Sequence, residues 1–337
     1  MSPDHTGASP AASGRERLAA LDLLKAAAIV TVIGIHAAPD FWVHMSWVEA
    51  WTYRLFRFAV PAFLAVSGFL YYSPAPISAA TVRRRLRRVL LPYVVVSGPA
   101  LLYSAFIPLH SSDRSVLGKL FLGATFGPYY YVFLLTQFVL AIWVLSRLPR
   151  PIVTLAFVWA GVTTVLVELG ILRLSLFWLM RSPHVWAGWF LLGWLVAAHR
   201  HSVLAFVERY SVLLIAGWLG AVLVWTALLA IDALPGRTGR GAIVVVMITN
   251  VVGLFALGQR LGDVGRPLRI LSEWSYPLYL LHPFFVYAFH DIVEPALQLP
   301  TALAFPLRWA VGFVGALALT AVLRVVLGPW SRDVIGA

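Results

Sequence analysis

The 337-residue sequence contains no cysteine. Disulfide bridges, thiolate catalysis and Cys-based metal sites are therefore excluded. Charge is scarce as well: 12% of residues are charged and 61% are apolar, against about 25% and about 45–50% in soluble domains. An apolar excess of this size, with a mean hydropathy of +0.84, does not fit inside a soluble core. Acids are the scarcest, 14 against 26 Lys and Arg, for a net charge of +12. In a multi-pass membrane protein that imbalance is first explained by Lys and Arg retained on the cytoplasmic side, so nucleic acid is not an expected partner. Residues 1–14 lack the basic-then-apolar layout of a signal peptide and are rich in Ser, Pro, Ala and Gly. They read as a disordered cytoplasmic tail, with 15–337 as a single membrane domain.

What is present in quantity is long apolar runs. Bounded by charges or by Pro and Gly, they predict helices near 18–37, 51–72, 89–107, 128–147, 151–170, 185–199, 211–231, 242–259, 274–290 and 303–327. Each run approaches the about 20 residues of a bilayer crossing and far exceeds a barrel strand. The expected fold class is therefore all-α, a polytopic membrane protein of about ten transmembrane helices. Alternate loops differ in basic residues, fifteen against six, and the larger set includes Arg15, Arg17 and the run Arg83–Arg88. The first and last loops of the poorer set carry only the acids Asp40, Glu49, Asp291 and Glu294. Both termini are therefore expected in the cytoplasm, and the chain in a cell membrane.

Five basic residues fall inside the predicted spans: Lys25, Arg54, Arg57, Arg308 and Arg324, with Asp22 as their one clear acidic companion. A charge in the bilayer interior is costly and usually faces a polar path. Arg324 reads as snorkelling to the cytoplasmic interface and Arg308 to the outer one. In the first helix Lys25 and His36 are eleven residues apart, close to three turns, so they share one stripe about 16 Å long with Asp22 a turn earlier. Two readings stand. Asp22 and Lys25 form an interfacial ion pair with His36 a hydrogen-bonded core residue, or His36 is an uncharged imidazole serving as general base. Arg57 enters the membrane from the opposite direction at a depth comparable with His36. A guanidinium there suits an oxyanion developing in acyl transfer, or a substrate carboxylate or phosphate.

Further along, Arg83-Arg84-Arg85-Leu86-Arg87-Arg88 is either topology retention on anionic lipid or a phosphate cradle for a cofactor such as coenzyme A, in which Arg84, Arg85, Arg87 and Arg88 bind bidentately. Gly127-Pro128-Tyr129-Tyr130-Tyr131 opens the fourth span, with Gln137 deeper and in need of a partner. In the ninth span Ser275, Tyr279 and His282 recur at i, i+4 and i+7, a second polar stripe ending in a histidine at mid-membrane depth.

These segments, taken in order, resemble the acyltransferase 3 family of bacterial membrane O-acyltransferases over nearly the whole chain. Leu21-Asp22 to His36 is similar to the family's first-helix Arg-x10-His pattern, with Lys25 in the Arg place; Lys lacks the planar fork that would support bidentate binding there. Val60-Pro61-Ala62-Phe63 with Ser67-Gly68-Phe69 resembles its "VPxF…SGF" segment, and Leu91-Pro92-Tyr93 after the Arg run resembles its basic stretch before "LPY". Ser275-Tyr276-Pro277-Leu278-Tyr279-Leu280-Leu281-His282-Pro283 is similar to its late "SYxxYLxHP" signature. The resemblance implies transfer of an acyl group, usually acetyl from acetyl-CoA, to a hydroxyl of a cell-surface glycan, lipid-linked sugar or exported metabolite in the bacterial cytoplasmic membrane. It implies no metal. Gly127-Pro128-Tyr129-Tyr130-Tyr131 with Gln137 looks more like the short branch containing enterobacterial common antigen O-acetyltransferase and the intercellular-adhesin succinyltransferase. No SGNH-type extension follows the last helix, so the chain is expected to act alone or pass its product to a separate protein.

On this reading His36, Arg57, Lys25 and Asp22 are the catalytic candidates, and Ser67, Tyr130, Gln137, Ser275, Tyr279 and His282 contact substrate or support the site. Membrane lipid, acyl-CoA and a carbohydrate or lipid-linked acceptor are the expected partners. The rival class is a transporter or flippase for a glycan or glycolipid, since intramembrane charges also mark transport paths. Paired repeats and broken helices would favour it, and the sequence shows no convincing internal repeat.

Overall fold

The computed structural model describes residues 18–38, 47–107, 114–231 and 236–337. The expected tail at 1–14, together with Arg15, Arg17 and Asp40 of the charge count, lies outside them, as do the side chains of Glu49, Arg237 and Arg240. The described residues form helices and no strand. In chain order these are α1 (Ala19–Ala37), α2 (Trp47–Phe56), α3 (Ala59–Tyr71), α4 (Ala79–Phe106), α5 (Val116–Phe121), α6 (Tyr130–Leu145), α7 (Arg150–Glu168) and α8 (Leu176–Leu179). There follow α9 (Pro183–Ala198), α10 (Arg200–Ala230), α11 (Gly236–Leu261), α12 (Gly265–Glu273), α13 (Ser275–Ala288), α14 (Glu294–Leu297), α15 (Thr301–Leu327) and α16 (Ser331–Val334).

Local chemistry sets several helix starts. Ser78 caps α4 by accepting from the Thr81 N–H at 3.2 Å, and Ser115 caps α5 by accepting from the Gly118 N–H at 3.2 Å. Pro151 and Pro183 occupy the first turns of α7 and α9, where a missing N–H costs nothing. Pro61 does the same for α3, and the second predicted span accordingly breaks just before it, at Arg57 and Phe58.

Among the described residues eight helical segments are long and apolar enough to cross a membrane. The runs expected at 185–199 and 274–290 appear as α9 and α13, of 16 and 14 residues. The second of these is shortened because a π-helical turn at Phe289–Val293 interrupts the ladder before α14. Apolar side chains dominate the outer surface: Leu213 is 67% exposed, Leu223 69% and Val325 85%. Such a surface suits hydrocarbon and not water.

Hydrocarbon gives no hydrophobic drive for helix pairing, so close approach depends on small residues. A Cβ added to Gly193 would lie 1.7 Å from the Ala65 carbonyl oxygen, and one on Gly68 would lie 1.9 Å from that of Phe190. Backbone therefore meets backbone between α3 and α9. Gly258 does the same for α11 against Ala20 of α1. These seams hold α1 at the centre, packed by α2, α3, α11, α12, α13 and α15, so any polar group on α1 faces protein.

Candidate active site

The polar stripe of α1 is divided between two tasks. Lys25 and His36 both line a cavity of about 740 Å³. Asp22 is 7% exposed, lies outside that lining and accepts a hydrogen bond from the Ser272 hydroxyl at 2.5 Å, tying α1 to α12. The fully buried ring of His282, from α13, packs beside His36 with centroids 5.4 Å apart and planes at 32°. His282 Nδ1 is 3.2 Å from the Leu278 carbonyl. With the proton assigned to Nδ1 by that contact, Nε2 is left as a bare acceptor, and it has no hydrogen-bond partner among the described residues.

Arg57 also lines the cavity, and it is not a free cation. Its Nη2 is 2.6 Å from Oε1 of Glu168, the last residue of α7. Asp22 is thus not the sole acidic companion of the intramembrane cations. Arg308 departs further from expectation. Only 5% exposed, it does not snorkel. Its guanidinium grips both oxygens of Glu294 at 2.6 Å and donates to the Ala37 carbonyl at 3.0 Å. A buried guanidinium requires a carboxylate and hydrogen bonds in the same place, and here they also fix the end of α1 one residue beyond His36. Arg324 is exposed and stacks over Trp274 at 4.9 Å.

Of the residues expected to contact substrate or support the site, Ser67, Tyr130, Ser275 and Tyr279 line the cavity. The Tyr279 hydroxyl donates to the Pro128 carbonyl and the Tyr129 hydroxyl to the Leu280 carbonyl at 2.5 Å, locking α13 against the turn that opens α6. Gln137 lies outside the lining and donates to the backbone oxygen of Arg181 at 3.0 Å. The basic run divides likewise. Arg88 lines the cavity, and Arg85 donates to the Tyr71 carbonyl and sits 4.8 Å from the ring of Tyr71, itself a lining residue. Arg87 pairs with Asp333 at the surface at 3.2 Å, and Arg84 is exposed and outside the lining.

Also lining the cavity are Arg114, Phe177, Arg181, Tyr53 and Tyr276, none of them a site candidate in the sequence. Arg114 and Arg181 were counted there only as loop charges, because nothing in a loop's composition shows that it folds back over a site. Arg181 donates from Nε to the Leu122 carbonyl at 2.8 Å, from Nη1 to that of Phe177 at 3.0 Å and from Nη2 to that of Gly123 at 3.1 Å. Burial first, and the like charge of Arg114 second, push its pKa down to about 10. It stays cationic at any cellular pH.

A histidine pair from α1 and α13, one ring lining a mostly apolar cavity that also holds cations and one fully buried behind it, sits inside an apolar helical shell, which defines a multi-pass membrane protein with polar groups among its helices. The chain belongs to the acyltransferase 3 family: the profile of that family's acyltransferase domain matches residues 18–325. Among curated proteins and solved structures, none matches the chain. The protein is therefore a membrane acyltransferase, working between an acyl donor and an acceptor and transferring groups other than amino-acyl groups. Among the described residues no group of three or more His, Asp or Glu is placed to hold a metal ion.

Proposed function

We propose that this enzyme moves an acetyl group from acetyl-CoA to a hydroxyl of a cell-surface glycan, a lipid-linked sugar or an exported metabolite, with both termini on the cytoplasmic face of a bacterial membrane. One observation carries the reading: the cavity lined by His36 also reaches Lys25 and Arg88. Lys25 lies about 16 Å from His36 along α1, a distance suited to a pantetheine arm running from phosphates at the surface to a thioester beside the imidazole. Arg88 and Arg85, with Arg84 and Arg87 outside them, meet the phosphates.

In the proposed reaction His36 removes the proton of the acceptor hydroxyl and the oxygen attacks the thioester carbonyl. The C–S bond then breaks, and the departing CoA thiolate takes the proton back from His36, leaving an ester and free CoA. The guanidinium of Arg57, held by Glu168, supplies positive potential for the charge that develops on the carbonyl oxygen. Lys25 orients the arm, while Asp22 keeps α1 in register with α12. Ser67, Tyr130, Ser275 and Tyr279 shape the acceptor space.

The test is purified protein in liposomes with labelled acetyl-CoA and a panel of glycan and lipid-linked acceptors, scored for labelled ester and, in parallel, for counterflow transport. Ester formation that depends on His36 supports the reading. Counterflow without ester formation would replace it with the transporter.

A further inference from the structure

The cavity lining contains five cations, Lys25, Arg57, Arg88, Arg114 and Arg181, and among the described residues no Asp or Glu. They separate along the helices. Arg57 and Tyr71 flank the two ends of α3, about 18 Å apart; Arg85 packs on Tyr71, and Arg88 follows on the next turn of α4. At the Arg57 end Arg181 holds the Leu122 and Gly123 carbonyls in the segment that leads into α6, whose first residue, Tyr130, lines the cavity with Arg57. Arg181 and Arg114 share the ring of Phe177, with their Cζ atoms 3.8 Å and 3.9 Å from its centroid. Arg114 and Arg181 therefore belong to the end away from the basic run.

The two ends differ in how their charges are met. Glu168 matches Arg57. Arg114 and Arg181 have no acidic partner among the described residues, and two like charges on one ring repel. Arg181 is 7% exposed and spends three N–H groups on carbonyls, so two of its five remain and their direction is set. The segments it joins are held in turn. Gln137 holds the Arg181 carbonyl, and Gly123, at φ +62°, allows a turn in which a Cβ would lie 2.4 Å from the Tyr129 oxygen. A rigid guanidinium with no acidic partner among the described residues and an exposed second one beside it is the arrangement by which proteins bind carboxylates and phosphates.

We infer that Arg114, Arg181 and Phe177 form an anion subsite at the Arg57 end of the cavity, so that the hydroxyl acylated belongs to a molecule bearing a carboxylate or a phosphate. This rests on the acyl-transfer reading for its consequence, not for the binding itself. The donor's phosphates are met at the Arg88 end, so they do not satisfy these two cations. Tyr53, Tyr130 and Trp186 line the adjoining wall and offer ring faces to an uncharged body such as a sugar. An anionic lipid headgroup carries the same chemistry as an anionic acceptor, and the experiment separates them.

The full chain in nanodiscs of phosphatidylcholine is titrated with methyl β-glucuronide, glucose 1-phosphate and neutral methyl β-glucoside, with binding read by saturation-transfer NMR. The charged ligands are expected to bind at least about tenfold tighter than the neutral one. Arg114→Gln should erase that preference and Arg114→Lys should keep part of it, with unchanged thermal unfolding in both. Equal binding of charged and neutral ligands, no binding by either anion, or a preference that survives in Arg114→Gln overturns the subsite. Repeating the titration with phosphatidylglycerol in the disc decides the source: loss of glucuronide binding would assign the two arginines to lipid and overturn the acceptor assignment. Should the anion preference persist while labelled acetyl-CoA yields no ester on any acceptor, the subsite stands and the acetyl-transfer reading falls.

Discussion

The rings of His36 and His282 lie 5.4 Å apart, one at the end of the first helix and one inside the thirteenth. His36 faces the cavity while His282 is sealed behind it. On the proposed reading His36 is the ring open to substrate, and His282 is the neighbour packed behind it.

His36→Asn keeps a planar polar group of similar size in a helix whose packing is set elsewhere. Acetyl transfer from labelled acetyl-CoA should fall by about 10²–10⁴-fold, the usual contribution of a general base, while the thermal unfolding midpoint stays where it was. A variant that retains wild-type turnover would refute the proton-transfer role.

His282→Leu tests a different property. Among the described residues the native ring's buried Nε2 finds no hydrogen-bond partner, which is unfavourable for folding. Replacing it with an apolar side chain is expected to leave the unfolding midpoint unchanged or raise it, yet to lower kcat with little change in KM. A lowered midpoint with unchanged kcat would make the residue merely structural. Stability exchanged for activity is the signature of a functional group.

Arg57 and Glu168 are mostly buried, with side chains 24% and 15% exposed. Removing either leaves the other charged in a low-dielectric wall, so Arg57→Ala and Glu168→Ala should each destabilise by on the order of 3 kcal/mol. The double variant should lose less than the sum, and denaturation of all four proteins in one detergent measures the coupling. Additive losses would show that the pair does not act as a unit.

The seam between α3 and α9 tolerates no side chain at Gly193, where a Cβ would meet a backbone oxygen at 1.7 Å. Gly193→Ala is expected to abolish recovery of folded protein, whereas Gly98→Ala, with nothing within 4 Å, should be neutral or stabilise by about 0.5–1 kcal/mol. Size-exclusion profiles of the two variants compare them directly.

Local spacing explains what was legible in the chain. Lys25 and His36 reach the same cavity because eleven residues are three helical turns, and Ser275 and Tyr279 reach it because four residues are one. The same rule placed Asp22 on that stripe, yet its carboxylate turns to Ser272 on α12. Arg308 is buried rather than snorkelling because its partner, Glu294, follows a π-turn that hydropathy does not register.

The sequence by itself determined that this is a helical membrane protein, which side chains share a helix face, and which family it resembles, since all three follow from composition, periodicity and ordered motifs within short stretches of chain. Only the tertiary structure decided that His36 meets His282, that Glu168 pairs with Arg57, and that Arg114 and Arg181 fold over the cavity. The physical reason is that a helix sets neighbours at three, four and seven residues. Contacts across the bundle instead depend on where glycines let backbones touch and where buried charges find partners.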